Sequence, residues 1–297
     1  MTGLILIALA GFGASFIDGA LGMGFGVTST TLLLAVGLSP ALASASVHLA
    51  KLGTAAASGA AHARFGNVDW AGVRRIGLPG AVGAFAGATV LSNLSAKAAL
   101  PFTGTLLFIL GIYIVIRFVM GRAPRRKPGT PGNRLMIPLG LVGGFVDATG
   151  GGGWGPVTTP TLLADGRLTP ARVVGTVNTA EFIVALAASL GFLLGLGTAG
   201  IDLGIVLALL IGGVIAAPFA AWLVRFLNPR ILGVVVGCFI LLLNARLILT
   251  AVNADPVVWW TVYAVLLSAS AAAITFVVRT VRREPKVPAE GTESVHA

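Results

Sequence analysis

The chain has 297 residues, 56% of them hydrophobic and 10% charged, and a formal net charge of +10. A water-soluble domain carries about 25% charged residues, so an ordinary soluble enzyme is excluded, and so much apolar content excludes intrinsic disorder. The 41 glycines keep no three-residue period, which excludes collagen.

Half of the 20 lysines and arginines lie in two short polar segments, Arg117–Arg134 and Arg279–Lys286. Basic clusters beside apolar runs set membrane topology and attract anionic headgroups. They are not the basic face that nucleic acid requires, so the expected partners are the lipid bilayer and a small anion, with no nucleic acid. Cys238 is the only cysteine, so neither a disulfide framework nor a thiolate metal cluster can form. It reads as a small buried hydrophobe. The opening MTGLILIALAG has no Lys or Arg before its apolar run, which predicts a mature membrane segment rather than a secretory signal peptide.

In chain order, apolar segments are predicted at 3–18, 25–37, 41–61, 75–93, 98–119, 135–149, 154–164, 171–196, 203–224, 230–251 and 256–279. A membrane-crossing helix needs roughly 20 such residues. Charged or polar connectors separate the segments. The linker GRAPRRKPGTPGNR divides the chain in two, and the tail EPKVPAEGTESVHA is expected to be disordered.

The halves are duplicates. GFGASFIDGALGMGFGVTSTTLLLAVG (11–37) matches GLVGGFVDATGGGGWGPVTTPTLLADG (140–166), aligning Asp18 with Asp147 and Gly22, Gly24 and Gly26 with Gly151, Gly153 and Gly155. After a one-residue insertion His48 aligns with Asn178 and Lys51 with Glu181; further on, Arg117 aligns with Arg246.

Charge placement suggests an orientation. The basic linker and basic tail both belong on the cytoplasmic side. They share a side if 135–149 and 154–164 together enter and leave by one face. Arg167, Arg172, Arg225 and Arg230 then fall inside, and Asp202 and Asp255 outside. The expected fold class is an all-α integral membrane protein with inverted-topology repeats. Each repeat has a broken, re-entrant helix pair and three transmembrane helices. The organisation is repeat 1 at 1–119, a cytoplasmic linker at 120–134, repeat 2 at 135–251, an extra helix at 252–279 and a cytoplasmic tail at 280–297. The N-terminus lies outside. Such repeats build secondary transporters with a site near the midplane at discontinuous helices, though a channel can share the architecture.

The glycine-rich breaks, Gly19–Gly26 and Gly150–Gly155, lack the strand–turn–helix setting of a dinucleotide fingerprint. They read as unwound membrane segments. Unpaired backbone survives in a membrane only inside protein or a wet cavity, and a half-helix starting at Gly26 or Gly155 would aim its positive end at that cavity, which favours anions. Close packing through small residues is the alternative. Asp18 and Asp147 are expected to end the first half-helix of each pair, as caps for free N–H groups or as proton or cation carriers.

Lys51 and Glu181 lie mid-way along apolar helices, where a charge costs ~2.5–3.5 kcal/mol on insertion scales and marks a pathway. The symmetry brings them within reach of one another. They read as a structural ion pair, or as an anion-binding ammonium with a carboxylate that exchanges a proton or releases it. His48, three residues before Lys51, shares its helix face; like Asn178 it could donate to an anion or simply pack. Thr176 could line the site or pack as a helix hydroxyl. The other two histidines, His62 and His296, lie elsewhere, so no metal site and no cofactor is expected. An intramembrane hydrolase would need paired aspartates or a nucleophile–histidine pair. Asp18 and Asp147 formally qualify, but their equivalent places in a duplication suit transport better.

The GFIDGALGMGFG-like break (written here GASFIDGALGMGFG), the LLL…GLSP…A segment, the HARFGNVDW loop and the second GGFVDATGGGGWGP…TP copy resemble the TauE/SafE sulfite-exporter family of permeases over roughly residues 5–250. The resemblance implies a prokaryotic inner-membrane carrier of sulfur-containing anions such as sulfite, sulfoacetate or other sulfonates. It leaves substrate and direction open. The expected function is secondary transport, as an exporter by alternating access and with proton coupling, of an anion held by Lys51, His48, Asn178, Thr176 and the glycines of both breaks. Glu181, Asp18 and Asp147 serve proton coupling or structure, and the assembly, a homodimer or a single chain, stays open. A passive anion channel is the alternative, and an intramembrane hydrolase the more remote one.

Overall fold

The structure, a computed structural model, describes residues 2–21, 23–121, 129–197, 201–223 and 228–283. Among these, the regular elements are eleven helices: α1 (Thr2–Leu21), α2 (Phe25–Ala35), α3 (Pro40–Arg64), α4 (Trp70–Asn93), α5 (Ala96–Met120), α6 (Asn133–Gly150), α7 (Trp154–Asp165), α8 (Pro170–Leu196), α9 (Leu203–Leu223), α10 (Pro229–Ala251) and α11 (Pro256–Arg283). The eleven apolar segments become these eleven helices. Gly22, part of the linker and the tail lie outside the described residues.

Local chemistry sets the boundaries. Thr169 and Asn228 turn side-chain oxygens onto the first free N–H groups of α8 and α10, with Pro170 and Pro229 following in the first turn. Gly121 and Gly166 stop α5 and α7 in the left-handed conformation. Two boundaries differ from expectation. Helices α1 and α6 continue three residues past Asp18 and Asp147, so neither aspartate ends its helix. Helices α2 and α7 begin at Phe25 and Trp154, the first residues of their predicted segments. In each case the carboxylate reaches forward across the break to the start of the next helix.

Helices α4, α5, α8, α10 and α11 are long and apolar enough to cross a membrane, and α1, α2 and α9 hold shorter apolar stretches. Helix α3 is as long as α5, but its small and polar residues keep it off that roll. Its polar side faces the interior, where Ser44, Ser46, His48 and Lys51 are buried.

Partners are exchanged between the halves. Helix α1 packs along α9 and α6 along α4, while α3 lies on α8 and α5 on α10. Small residues permit the approach: a Cβ on Gly11 would fall 2.6 Å from the Leu209 carbonyl oxygen, and one on the equivalent Gly140 would strike the Ile76 carbonyl. Helix α11 rests on α10 and α5 and is otherwise largely exposed.

Candidate functional site

The two broken pairs meet at their breaks. A Cβ on Gly26 would lie 2.5 Å from Gly152 Cα and 2.7 Å from the Gly151 carbonyl oxygen, and one on Gly152 would collide with the backbone of Gly26 and Val27. No side chain fits at this crossing. Gly24, which precedes α2, has φ +122°, and Gly151 has φ +71°, conformations that glycine alone adopts freely.

Breaking a helix in a membrane frees carbonyls at one end and N–H groups at the other. At the end of α6 three hydroxyls take the carbonyls. Ser44 donates to Ala148 (2.6 Å), Thr103 to Thr149 (3.1 Å) and Thr30 to Gly151 (2.9 Å). Asp147 takes the N–H groups, accepting from Gly153 at 2.8 Å and Trp154 at 3.0 Å. Trp154 is fully buried, and its indole N–H donates to the Val177 carbonyl at 3.0 Å.

Asp147 also joins the two halves. Its Oδ1 lies 3.2 Å from Lys51 Nζ, and its Oδ2 lies 3.0 Å from His48 Nε2. Lys51 Nζ lies 2.6 Å from Glu181 Oε1. The ammonium therefore sits between two carboxylates, one on α6 and one on α8. All but Glu181 are buried, and Glu181 is 18% exposed through its side chain. The other ring nitrogen of His48, Nδ1, lies 2.8 Å from the Ser44 carbonyl oxygen.

Asp18 occupies the same place in its own break but has fewer partners. Among the described residues it accepts one N–H, from Phe25 at 3.1 Å, and it lines two adjoining cavities with Lys51, Phe25, Asn178 and Glu181. The inner cavity, of about 10 Å³, adds Met23, Gly24, Gly26, Gly152, Gly155 and Pro156. It has room for one water. The second, of about 40 Å³, adds Thr54, Ala55 and Ser58. From Ala55, which it shares with the second, an open apolar groove of about 200 Å³ runs along the surface between α3 and α8 to Ala63 and Trp70. The cavities and the groove thus run from the breaks toward the loop joining α3 and α4.

Among the residues expected at the site, Lys51, Asn178, Glu181, Asp18, Gly24, Gly26 and Gly155 line the cavity. Asn178 also donates to Ser58 at 3.1 Å. His48 stands behind Asp147 rather than on the cavity. Gly151 faces Thr30, and Gly153 faces Val146 and the backbone of Asp147. Thr176 accepts the Asp69 N–H at 3.0 Å, holding the start of α4 rather than the cavity wall. Gly22 lies outside the described residues. The link between Lys51 and Asp147 was not foreseen, because no spacing within one half relates α3 to α6. Gly152 also joins the lining; it stands opposite Met23 in the duplication, so the shared-glycine pattern passes over it. Among the described residues no group of three His, Cys, Asp and Glu side chains is placed to hold a metal ion.

The sequence matches the family described as Sulfite exporter TauE/SafE over residues 7–247. It is also 50% identical, over 277 residues covering 91% of this chain and 92% of the relative, to "Probable membrane transporter protein YtnM" of Bacillus subtilis (strain 168). No solved structure matches it. A match across most of the chain, with several helices apolar enough to span a bilayer, makes this a multi-pass membrane protein of the TauE/SafE sulfite exporter family.

Proposed function

We propose that the protein exports small sulfur-containing anions, sulfite or organosulfonates, across a prokaryotic inner membrane by alternating access with proton coupling. The observation that carries this reading is the position of Lys51. Its ammonium lines the cavity where the two glycine breaks cross, on the same wall as the start of α2. An oxoanion there gains the lysine charge, backbone N–H donors and the positive end of a half-helix. Glu181, 2.6 Å from Lys51, occupies the place the substrate anion takes. Binding therefore begins with exchange of one anion for another on a fixed ammonium.

The inner cavity is too small for a sulfonate, so loading requires the halves to separate at the glycine crossing. The exchange of partners between the halves supports an inverted-repeat rocking motion, with repeats at 1–119 and 135–251. The cavities and the groove lead toward Arg64, Arg74 and Arg75, which the positive-inside rule assigns to the cytoplasm. On this reading the described conformation has its wider end facing inward, the C-terminus is cytoplasmic and the N-terminus outside.

Proteoliposomes holding the purified protein test the proposal. Saturable flux of sulfite or a sulfonate, exceeding that of acetate, is expected. In Lys51→Ala, anion binding should be lost while insertion persists, and undiminished affinity would remove Lys51 from the site.

A further inference from the structure

The cluster around Lys51 contains more acid than base, and its hydrogen-bond geometry shows where the excess falls. Nδ1 of His48 faces the Ser44 carbonyl, which only accepts, so Nδ1 carries a hydrogen. Nε2 faces a carboxylate oxygen of Asp147 at 3.0 Å. A hydrogen must lie between those two atoms, whichever of them holds it. The His48–Asp147 pair is therefore neutral as a unit. That leaves one ammonium, Lys51, against two carboxyl groups, Glu181 and Asp18, lining one cavity.

No other group in the described residues supplies the missing positive charge. Helices α2 and α9 contain no titratable residue. On α7 the only one is Asp165, at the far end beside Arg167. On α10, Arg230 is held on the Phe118 and Val119 carbonyls, and Arg246 acts on Tyr263 of α11. Arg75 on α4 donates to the Pro131 carbonyl. The start of α2 contributes about half a charge to Asp18, less than a whole unit. A half-buried carboxylate within a membrane, without a counter-charge, has lost much of its hydration and favours taking up a proton.

We infer that Asp18 and Glu181 share one proton in this conformation, and that Lys51 passes from Glu181 to a substrate anion only when the pair takes up a second. The inference rests on the transport reading for its second half and on geometry alone for its first. The charge balances at each stage. With one proton on the pair, Glu181 neutralises Lys51. With two, both carboxyls are neutral and the arriving monoanion neutralises Lys51. Asp147 and His48 keep their shared hydrogen throughout, so one proton moves with each monovalent anion in the same direction, and export runs where the outward anion gradient exceeds the inward proton gradient. A sodium ion in place of the shared proton is disfavoured because one Glu181 oxygen is already taken by Lys51, leaving few oxygens to surround a metal.

Two measurements test this separately. The first needs no substrate: infrared spectra of the purified protein at neutral pH. A carboxylic-acid C=O band is expected to be stronger in the wild type than in Asp18→Asn or Glu181→Gln, since either change leaves one carboxylate for one ammonium while any contribution from Asp147 is common to all three. No band in the wild type, an undiminished band in both variants, or Na⁺-dependent stabilisation with no band would overturn the shared proton. Should one variant fail to fold, the other gives the same reading.

The second is the affinity for methanesulfonate, a monoanion over the whole pH range used. Its Kd should rise about tenfold per pH unit in the wild type, the slope of one linked proton, and be flat in the double variant carrying Asp18→Asn and Glu181→Gln. A flat wild-type profile, or an unchanged slope in the double variant, would overturn the coupling role. If the wild type moves and binds no tested anion, the transport proposal fails while the infrared result still decides the shared proton.

Discussion

The two glycine breaks share one sequence pattern and differ in structure. Around the second, Asp147 accepts from Gly153, Trp154 and Lys51 and shares a hydrogen with His48, and Trp154 is locked by its bond to Val177. Around the first, Asp18 accepts from Phe25 alone among the described residues, and Phe25, the counterpart of Trp154, forms part of the cavity wall. The difference follows from one pair of substitutions. Lys51 and His48 in the first half gave Asp147 an ammonium and an imidazole from across the interface. Their counterparts Glu181 and Asn178 offer Asp18 a repelling carboxylate and an amide. A duplication that began symmetric thus holds one anchored break and one poised to change its charge.

The comparison is broken most severely at Asp147. Replacing it with alanine strands a buried imidazole and two N–H groups and leaves Lys51 with Glu181 as its one carboxylate partner, and stability should fall by about 3–5 kcal/mol. Asp18→Ala removes a single cap, a loss of about 1 kcal/mol. Thermal unfolding of the two variants in one detergent measures the gap, and equal losses would end the distinction between an anchored and a poised break.

The glycine crossing is shared by both breaks, so it should respond from either side. Gly26→Ala and Gly152→Ala each drive a Cβ into backbone of the other half, with an expected cost of about 1–3 kcal/mol and loss of flux. Gly13→Ala is the control, since a Cβ there has nothing within 4 Å. If Gly26→Ala matched Gly13→Ala in unfolding temperature and flux, the breaks would not be in contact.

The smallest expected effect belongs to the aromatic pair. Trp154→Phe makes the second break resemble the first and removes one buried hydrogen bond, worth about 1 kcal/mol. Phe25→Leu deletes no polar contact and should alter anion affinity more than unfolding temperature. The reverse ranking would place the anchored break in the first half.

Much of this was legible in one dimension. The lengths and order of the helices follow from apolar runs bounded by Pro, Gly and charged residues, because in a bilayer a chain must hydrogen-bond its own backbone and only helices do so segment by segment. The duplication exposed the paired aspartates and the equivalence of Lys51 and Glu181, and a charge mid-way along an apolar helix marked each of them as functional. The sequence by itself therefore determined an all-helical membrane protein, where its two halves break, and which few charges lie in its centre. It also suggested that Lys51 and Glu181 would meet, and they do.

Only the tertiary structure decided which acid serves which base. Asp18 and Asp147 are indistinguishable by motif, and each is followed by a glycine-rich break. The choice depends on how α6 crosses α3, which is set by side chains from four helices packing at once and by no spacing within any of them. The same crossing turned His48 away from the cavity, committed Thr176 to the start of α4, and brought Gly152 against Gly26. Electrostatic energy in a buried site depends on distances of a few ångströms between residues about a hundred positions apart, and the fold alone specifies those distances.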